Sequence, residues 1–299
     1  MPMNRAQFPK SLSSDLNAVW MMDKDMPPEW SQVFETKTSR RAFEEQVLRV
    51  GFGAAPIKKE GAAFDEDSGG EGWTQRYINI TVALMFVLTQ EAAEDNLYES
   101  LGPQYVKELR RAMKETKEIM GANIFNGAFT VNQGDGVPLL STAHPLWGGG
   151  TASNKLATPA DFAESSLEDA LIMVRNAVND RGLPTPVNAT KLVVGNSNIF
   201  QAVRVLRSVQ RVGTSNNDIN AIKALGIFGN DPVTLTRLTD TDAWFTETDA
   251  PMGLQMFQRI KLEPDDWQDE KTGNFCYRAR ERYSFGCTNW RALFGSEGA

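Results

Sequence analysis

Ser141, His144 and Asp135 are the residues whose types could together do covalent chemistry. His144 is the sole histidine among 299 residues, and all three lie in the stretch DGVPLLSTAHPLWGGG, Asp135 to Gly150. A serine hydroxyl bonded to an imidazole, itself oriented by a carboxylate, is the arrangement of an acyl-transfer hydrolase. That chemistry needs serine oxygen and imidazole within about 2.6–3.2 Å of each other. Here Ser141 and His144 share a turn-rich loop that reaches Pro145, where regular structure fixes neither side chain. The expectation is therefore no catalytic residue, with His144 fixing a turn or packing at a subunit contact. A hydrolase using His144 is retained as an alternative.

Other chemistry finds less support. GFGAAP, Gly51–Pro56, lacks the third glycine and the following helix of a dinucleotide fingerprint, and no P-loop, GxSxG or HExxH pattern occurs. The glycines at Gly148–Gly150 lead into Thr-Ala-Ser-Asn rather than into a helix that could present amides to phosphate. Cys276 and Cys287 are too few and too separated for a zinc site, and they read as small buried hydrophobes. Asp65–Asp67 and Asp265–Asp266 read as solvated acidic turns. No cofactor and no metal is expected, and the chain is read as a non-enzyme. A net charge of -7 and a pI near 5.0 exclude a general nucleic-acid surface. The longest apolar-rich run, Ile78–Leu88, falls well short of the ~20 residues of a membrane-spanning helix.

The elements that must position these residues follow from periodicity. Residues 1–41 carry Phe8, Trp20, Trp30 and Phe34 without a compact pattern. They read as an N-terminal arm with a short helix around Leu12–Met22 and an extended remainder, ordered only by docking. Two extended runs, Gln46–Ile57 and Tyr77–Thr89, flank the glycine-rich acidic stretch KKEGAAFDEDSGGEGW and predict a long β-hairpin. From Glu91 onward the period becomes helical, through Leu109, Met113 and Ile124. Pro103 divides this into a short helix to Leu101 and a long one from Pro103 to about Asn126. Leu167, Leu171 and Val174 mark a further helix ending at Gly182, and Asn198–Ser208 another. KLVVG, VTLTRL, AWFTE and GLQMFQRI read as strands of a compact α/β unit over 158–260. In the tail, Phe275, Tyr277, Ala279, Glu281 and Tyr283 share one strand face, and Arg278, Arg280 and Arg282 the other. Three arginines in register could grip phosphate; in an acidic chain they read as a solvated or salt-bridged face.

An arm, a long hairpin loop and a long helix suit a subunit that reaches across to neighbours. The chain resembles the major capsid (major head) proteins of tailed bacteriophages, in their Mu-like branch. The resemblance lies in the order of GFG, RYINITVALMFVLTQEAAEDNLY, ANIFNGAF, DGVPLLSTAHP, LVVGNSN and LTDTDAWFTETD. It implies an α+β capsid fold: an N-terminal arm over 1–41 and an extended hairpin loop over 42–90. It also implies a peripheral domain with a spine helix over 91–157 and 261–299, and an α/β axial domain over 158–260.

The implied function is structural: hexamers and pentamers of an icosahedral head enclosing double-stranded DNA, without sequence-specific binding. The implied partners are the chain itself, a separate scaffolding protein, a portal and decoration proteins, with no membrane. The implied location is the virion, with assembly in the bacterial host cytoplasm. An encapsulin-like cellular compartment shell shares the fold and stands as the alternative. Lys58 and Lys59 precede the hairpin tip, but no partner asparagine for a cross-link is identified.

Overall fold

The computed structural model describes residues 16–21, 27–94, 98–211, 218–229 and 231–299. In chain order its strands are β1 (Glu35–Thr38), β2 (Phe43–Val50), β3 (Gly70–Ile78), β4 (Ile80–Leu88), β5 (His144–Pro145), β6 (Thr151–Ala152), β7 (Ala189–Val194), β8 (Val233–Thr234), β9 (Trp244–Thr248), β10 (Leu254–Gln268), β11 (Phe275–Cys287) and β12 (Leu293–Ser296). Its helices are α1 (residues 16–21), α2 (Gln90–Glu94), α3 (Tyr98–Asn126), α4 (Glu164–Arg175), α5 (Ile199–Arg207) and α6 (Ala221–Leu225). Two four-stranded sheets, ordered β1-β10-β11-β4 and β12-β9-β7-β8, carry the fold, and β2–β3 forms a hairpin of its own.

Helix α3 lies along the first sheet. Val106, Leu109, Met113, Lys117 and Phe125 form its buried face at three- and four-residue spacing, apolar but for Lys117. Tyr277 and Ala279 of β11 pack against the first part of that face, with Trp20 of the arm closing over it. Further along, Phe125 meets Phe34 and Phe245 edge-on, at ring separations of 6.0 and 5.1 Å. There the core of the first sheet becomes continuous with the second. In the second sheet, Trp244 is fully buried beneath α4 and α5 among Leu167, Leu192 and Val205. Its indole N–H donates to the Ala160 carbonyl at 3.0 Å.

Several elements differ from the sequence expectation. The strand Ile80–Leu88 pairs with β11, not with the first hairpin run; the hairpin's return strand is Gly70–Ile78, in register with Phe43–Val50. Buried Asn79 turns the chain between the two, donating to Ser39 Oγ at 2.7 Å and to the Arg41 carbonyl at 2.9 Å. So 42–90 holds both the hairpin and one strand of the first sheet. Arm residues Glu35–Thr38 are the edge strand of that sheet, parallel to β10. Residue 260 lies within β10, which runs unbroken from Leu254 to Gln268 across the expected boundary. Leu293–Ser296, within the expected span 261–299, forms a short further strand in the second sheet against β9, where Leu293 and Phe294 are fully buried. Helix α3 begins at Tyr98 and absorbs Pro103 near its start, where little of the backbone ladder is lost. Helix α4 stops at Arg175, before Gly182, and the Ser166 hydroxyl at its first turn accepts from the Ala163 amide at 2.9 Å. VTLTRL is a strand only at Val233–Thr234. Phe8 and residues 12–15 and 22 of the expected Leu12–Met22 helix lie outside the described residues.

The turn from β9 into β10 links the two sheets and is tightly constrained. Met252 there adopts a positive φ of 56°, and its carbonyl accepts from the Asn289 amide at 3.0 Å. At the next position, a Cβ on Gly253 would lie 2.5 Å from the Ala292 Cβ. Gly253→Ala is therefore expected to lower stability by about 1–3 kcal/mol, the range for overpacking a closed site. Urea denaturation reads this as a lower midpoint at unchanged slope.

Candidate functional site

His144 is fully buried, and its surroundings come from three further segments of chain. The loop after α3 brings Asp135, whose Oδ2 lies 2.6 Å from His144 Nδ1. The segment after β6 brings Asn154, whose Oδ1 lies 3.0 Å from His144 Nε2. The C-terminal segment brings Trp290, stacked on the imidazole at 4.4 Å between centroids and 8° between planes. Asn154, itself fully buried, donates through Nδ2 to the carbonyls of Leu139, Leu293 and Trp290 at 2.7, 2.9 and 3.1 Å. Its Oδ1 also accepts from the Ser141 amide at 2.9 Å. These bonds tie the loop leaving α3 to the C-terminal strand β12.

The same geometry decides the hydrolase reading. Both ring nitrogens of His144 are engaged, by Asp135 and Asn154, and neither bond goes to Ser141. The Ser141 hydroxyl accepts from the Ala143 amide at 3.2 Å, closing a local turn. A nucleophile needs its base within hydrogen-bond reach, and Ser141 has none in His144. Asp135 and His144 of the sequence triad meet; Ser141 is turned away. The nearby thiol of Cys287 is pushed up to about 12 by burial, with the charges of Glu247 and Asp135 adding to it. Both cysteines are free and buried, and among the described residues no group of His, Cys, Asp or Glu is placed to hold a metal.

The remaining features of note are surfaces. At the neck of the β2–β3 hairpin, Arg181 donates to the carbonyls of Gly51 and Ser68 at 3.3 and 2.5 Å. Asp67 accepts from the Gly53 amide at 2.7 Å, which with the Arg181 charge holds its carboxyl below the usual range. Beyond this neck the tip leaves Phe52 67%, Ile57 96% and Phe64 83% exposed. Met85, Val87 and Trp267 are exposed on the first sheet. Arg278 on the same face stacks on Trp267 at 4.9 Å and donates to Asp265 Oδ2 at 2.6 Å, the salt-bridged face expected from the sequence. Phe200, Val209, Ile219 and Leu225 are more than half exposed at the far end of the second sheet.

Comparison with known proteins decides the family. The model of the phage capsid protein family matches residues 75–295. The chain belongs to the phage capsid protein family. Solved structures agree in fold. The capsid subunit of an empty GTA particle aligns over 100% of both chains with a TM-score of 0.59 and 13% identity. The procapsid subunit of bacteriophage JBD30 gives 0.54 at 14% identity, covering 98% of this chain and 76% of its own. A virus-like particle from Pyrococcus furiosus gives 0.52 at 12% identity, covering 97% and 99%. No curated protein matches the sequence. The phage capsid fold expected from the motif order is therefore the fold of this chain, and its role is that of a structural capsid protein of a virion.

Within this capsid subunit, sequence reasoning missed four residues that hold the parts together. Asn154 carries no local motif, Arg181 lies in an unremarkable turn, and Lys117 sits on a helix face whose period reads as apolar. Glu29 is a fourth: its carboxylate accepts from Thr236 and Arg237, and Arg237 also pairs with Glu115 of α3. The amides of Glu29 and Trp30 in turn donate to Glu118 at 3.0 and 3.1 Å, pinning the arm to α3. Burial, with some help from the Glu29 charge, raises the Glu118 carboxyl above its usual value.

Proposed function

We propose that this chain forms hexamers and pentamers that close into the icosahedral head of a phage and enclose double-stranded DNA. The observation that carries the reading is the hairpin tip, where three large apolar side chains stand in solvent beyond a fixed neck. Exposed apolar clusters of that kind mark interaction surfaces. The hairpin tip reaches a neighbouring subunit, and the exposed residues around Phe200 and Leu225 face the capsomer centre. On this reading residues 158–260 act as the axial unit and α3 as the spine of the peripheral one. A scaffolding protein, a portal and decoration proteins are its further partners, and assembly takes place in the host cytoplasm. The net charge of -7 suits an inner wall that does not hold packaged DNA by phosphate contacts. The motif order resembles that of Mu-like head subunits, and the reading extends to that branch.

The test is electron microscopy of protein co-produced with its scaffolding protein. Closed shells are expected from the wild type. Replacing Phe52, Ile57 and Phe64 together by serine is expected to leave subunit stability within about 0.5 kcal/mol, since exposed side chains contribute little to folding. The same variant is expected to abolish closed shells. A wild-type chain that stays monomeric under all assembly conditions would overturn the reading.

A further inference from the structure

The buried hydrogen bonds around His144 fix where its protons lie. Asn154 cannot present its nitrogen to the imidazole, because flipping the amide would aim Oδ1 at the carbonyls of Leu139, Trp290 and Leu293. The Ser141 amide, a donor, also requires oxygen at that corner. His144 Nε2 therefore faces an acceptor and must carry a hydrogen. Nδ1 faces the Asp135 carboxylate at 2.6 Å, within the range of a charge-assisted bond. Asp135 Oδ1 is held in turn by the Val137 amide at 3.3 Å.

We propose that His144 is a doubly protonated imidazolium locked between Asp135 and Asn154, and that this proton-dependent lock joins the exit of the spine helix to the C-terminal strand. The pair as a whole is neutral, so no net charge is buried, and every hydrogen-bonding position on the ring is used. A buried ion pair persists only under those conditions. Stacking on Trp290 adds the attraction of a cation for an aromatic face. The other charged or titratable groups on the packed elements are few. Cys287 lies close enough to feel the Asp135 charge, and Arg291 stacks on Trp290 at 4.2 Å while pairing with Asp180 at 3.0 Å.

The lock depends on pH with a definite sign. Removing the Nδ1 proton leaves a buried carboxylate facing a bare nitrogen, so the contribution is present when His144 is charged and is lost as pH rises. Protonating Asp135 removes it at the acid end. Both ends disturb the same joint, and neither involves a surface group.

The single histidine makes the test clean. Protein carrying 15N only in histidine, at pH 7 and studied by magic-angle-spinning NMR, is expected to show two protonated ring nitrogens of similar shift. One protonated and one bare nitrogen, widely separated in shift, would overturn the proposal; that is also the pattern if the proton resides on Asp135. Asp135→Asn supplies a neutral amide that can donate to Nδ1, and is expected to convert the ring to the neutral Nε2–H form. If that variant folds and both nitrogens stay protonated, Asp135 does not hold the charge and the proposal fails. The wild-type spectrum decides the matter even if the variant does not fold. Raising the pH is expected to lower the melting temperature of the wild type in step with loss of the Nδ1–H signal. Loss of that signal with no change in melting temperature would remove the lock from the proposal.

Discussion

Asn154→Ala is expected to lower the free energy of unfolding by about 4 kcal/mol, a large part of the 5–15 kcal/mol typical of a domain. The substitution deletes a fully buried side chain that answers five groups: the Ser141 amide, His144 Nε2 and the carbonyls of Leu139, Trp290 and Leu293. Each buried group left without a partner costs about 1–3 kcal/mol, and the total falls below the sum because the loop can relax and water can enter. Guanidinium denaturation at neutral pH measures the loss directly. Ser141→Ala is expected to cost under about 1 kcal/mol, since among the described residues its hydroxyl serves the Ala143 amide alone. A hydrolase would rank the two residues the other way, with Ser141 indispensable to turnover. An Asn154→Ala protein as stable as the wild type would mean that the cluster does not hold the C-terminal strand.

Much of the architecture was legible because it rests on period. The alternation over Ile78–Leu88, the helical spacing through Leu109 and Met113, and the two faces of Phe275–Phe285 all follow from which residues must leave water. What was not legible is pairing. Asn79 hides the break between hairpin strand and sheet strand, because one polar residue in an alternating run reads as an outward position. It is instead a buried turn, held by Ser39 and the Arg41 carbonyl. The short strand Leu293–Ser296 escaped the sequence reading for a related reason. Leu293 and Phe294 announce burial, but only the three-dimensional register shows that β9 has a free edge to receive them. The site was legible to the extent that His144 was read as holding a contact rather than breaking a bond. The contact itself depends on Asn154, ten residues on across the β5–β6 turn, and on Trp290 from the far end of the chain; local spacing carries no signal for either.

The stability of the subunit and the reach of its surfaces are separable in this fold. The hairpin tip hangs from the Arg181 neck, so its exposed apolar residues add little to the fold of one subunit and, on the proposed function, serve contacts between subunits. The interior contacts behave in the opposite way. Arm, spine helix and sheet are joined by buried polar groups whose partners come from distant parts of the sequence, and each such group is costly to leave alone. A variant series that separates assembly from folding should therefore divide cleanly between the tip and these joints.

The strongest of those joints is the ion pair between Lys117 and Glu281. Lys117 lies on the buried face of α3 at 8% exposure, and Glu281 on the inward face of β11 at 2%. The ammonium also sits over the rings of Trp30 and Tyr283, at 4.7 and 5.0 Å. Gln258 of β10 donates to the same carboxylate oxygen at 3.1 Å. Lys117→Met is expected to destabilise the subunit by about 3–5 kcal/mol, because it leaves the Glu281 carboxylate buried with Gln258 as its remaining donor. Glu281→Gln alone leaves the ammonium buried against an amide and is expected to cost somewhat less, since the Trp30 and Tyr283 rings still face the cation. Combining the two removes both charges while the glutamine oxygen still accepts from Gln258. The double variant is therefore expected to regain more than half of the Lys117→Met loss. A double-mutant cycle by chemical denaturation reads the coupling, and additive losses would show that the two charges do not depend on each other. Helical period alone would fill the Lys117 position with leucine or methionine; the cation there answers the Glu281 carboxylate that β11 buries opposite it.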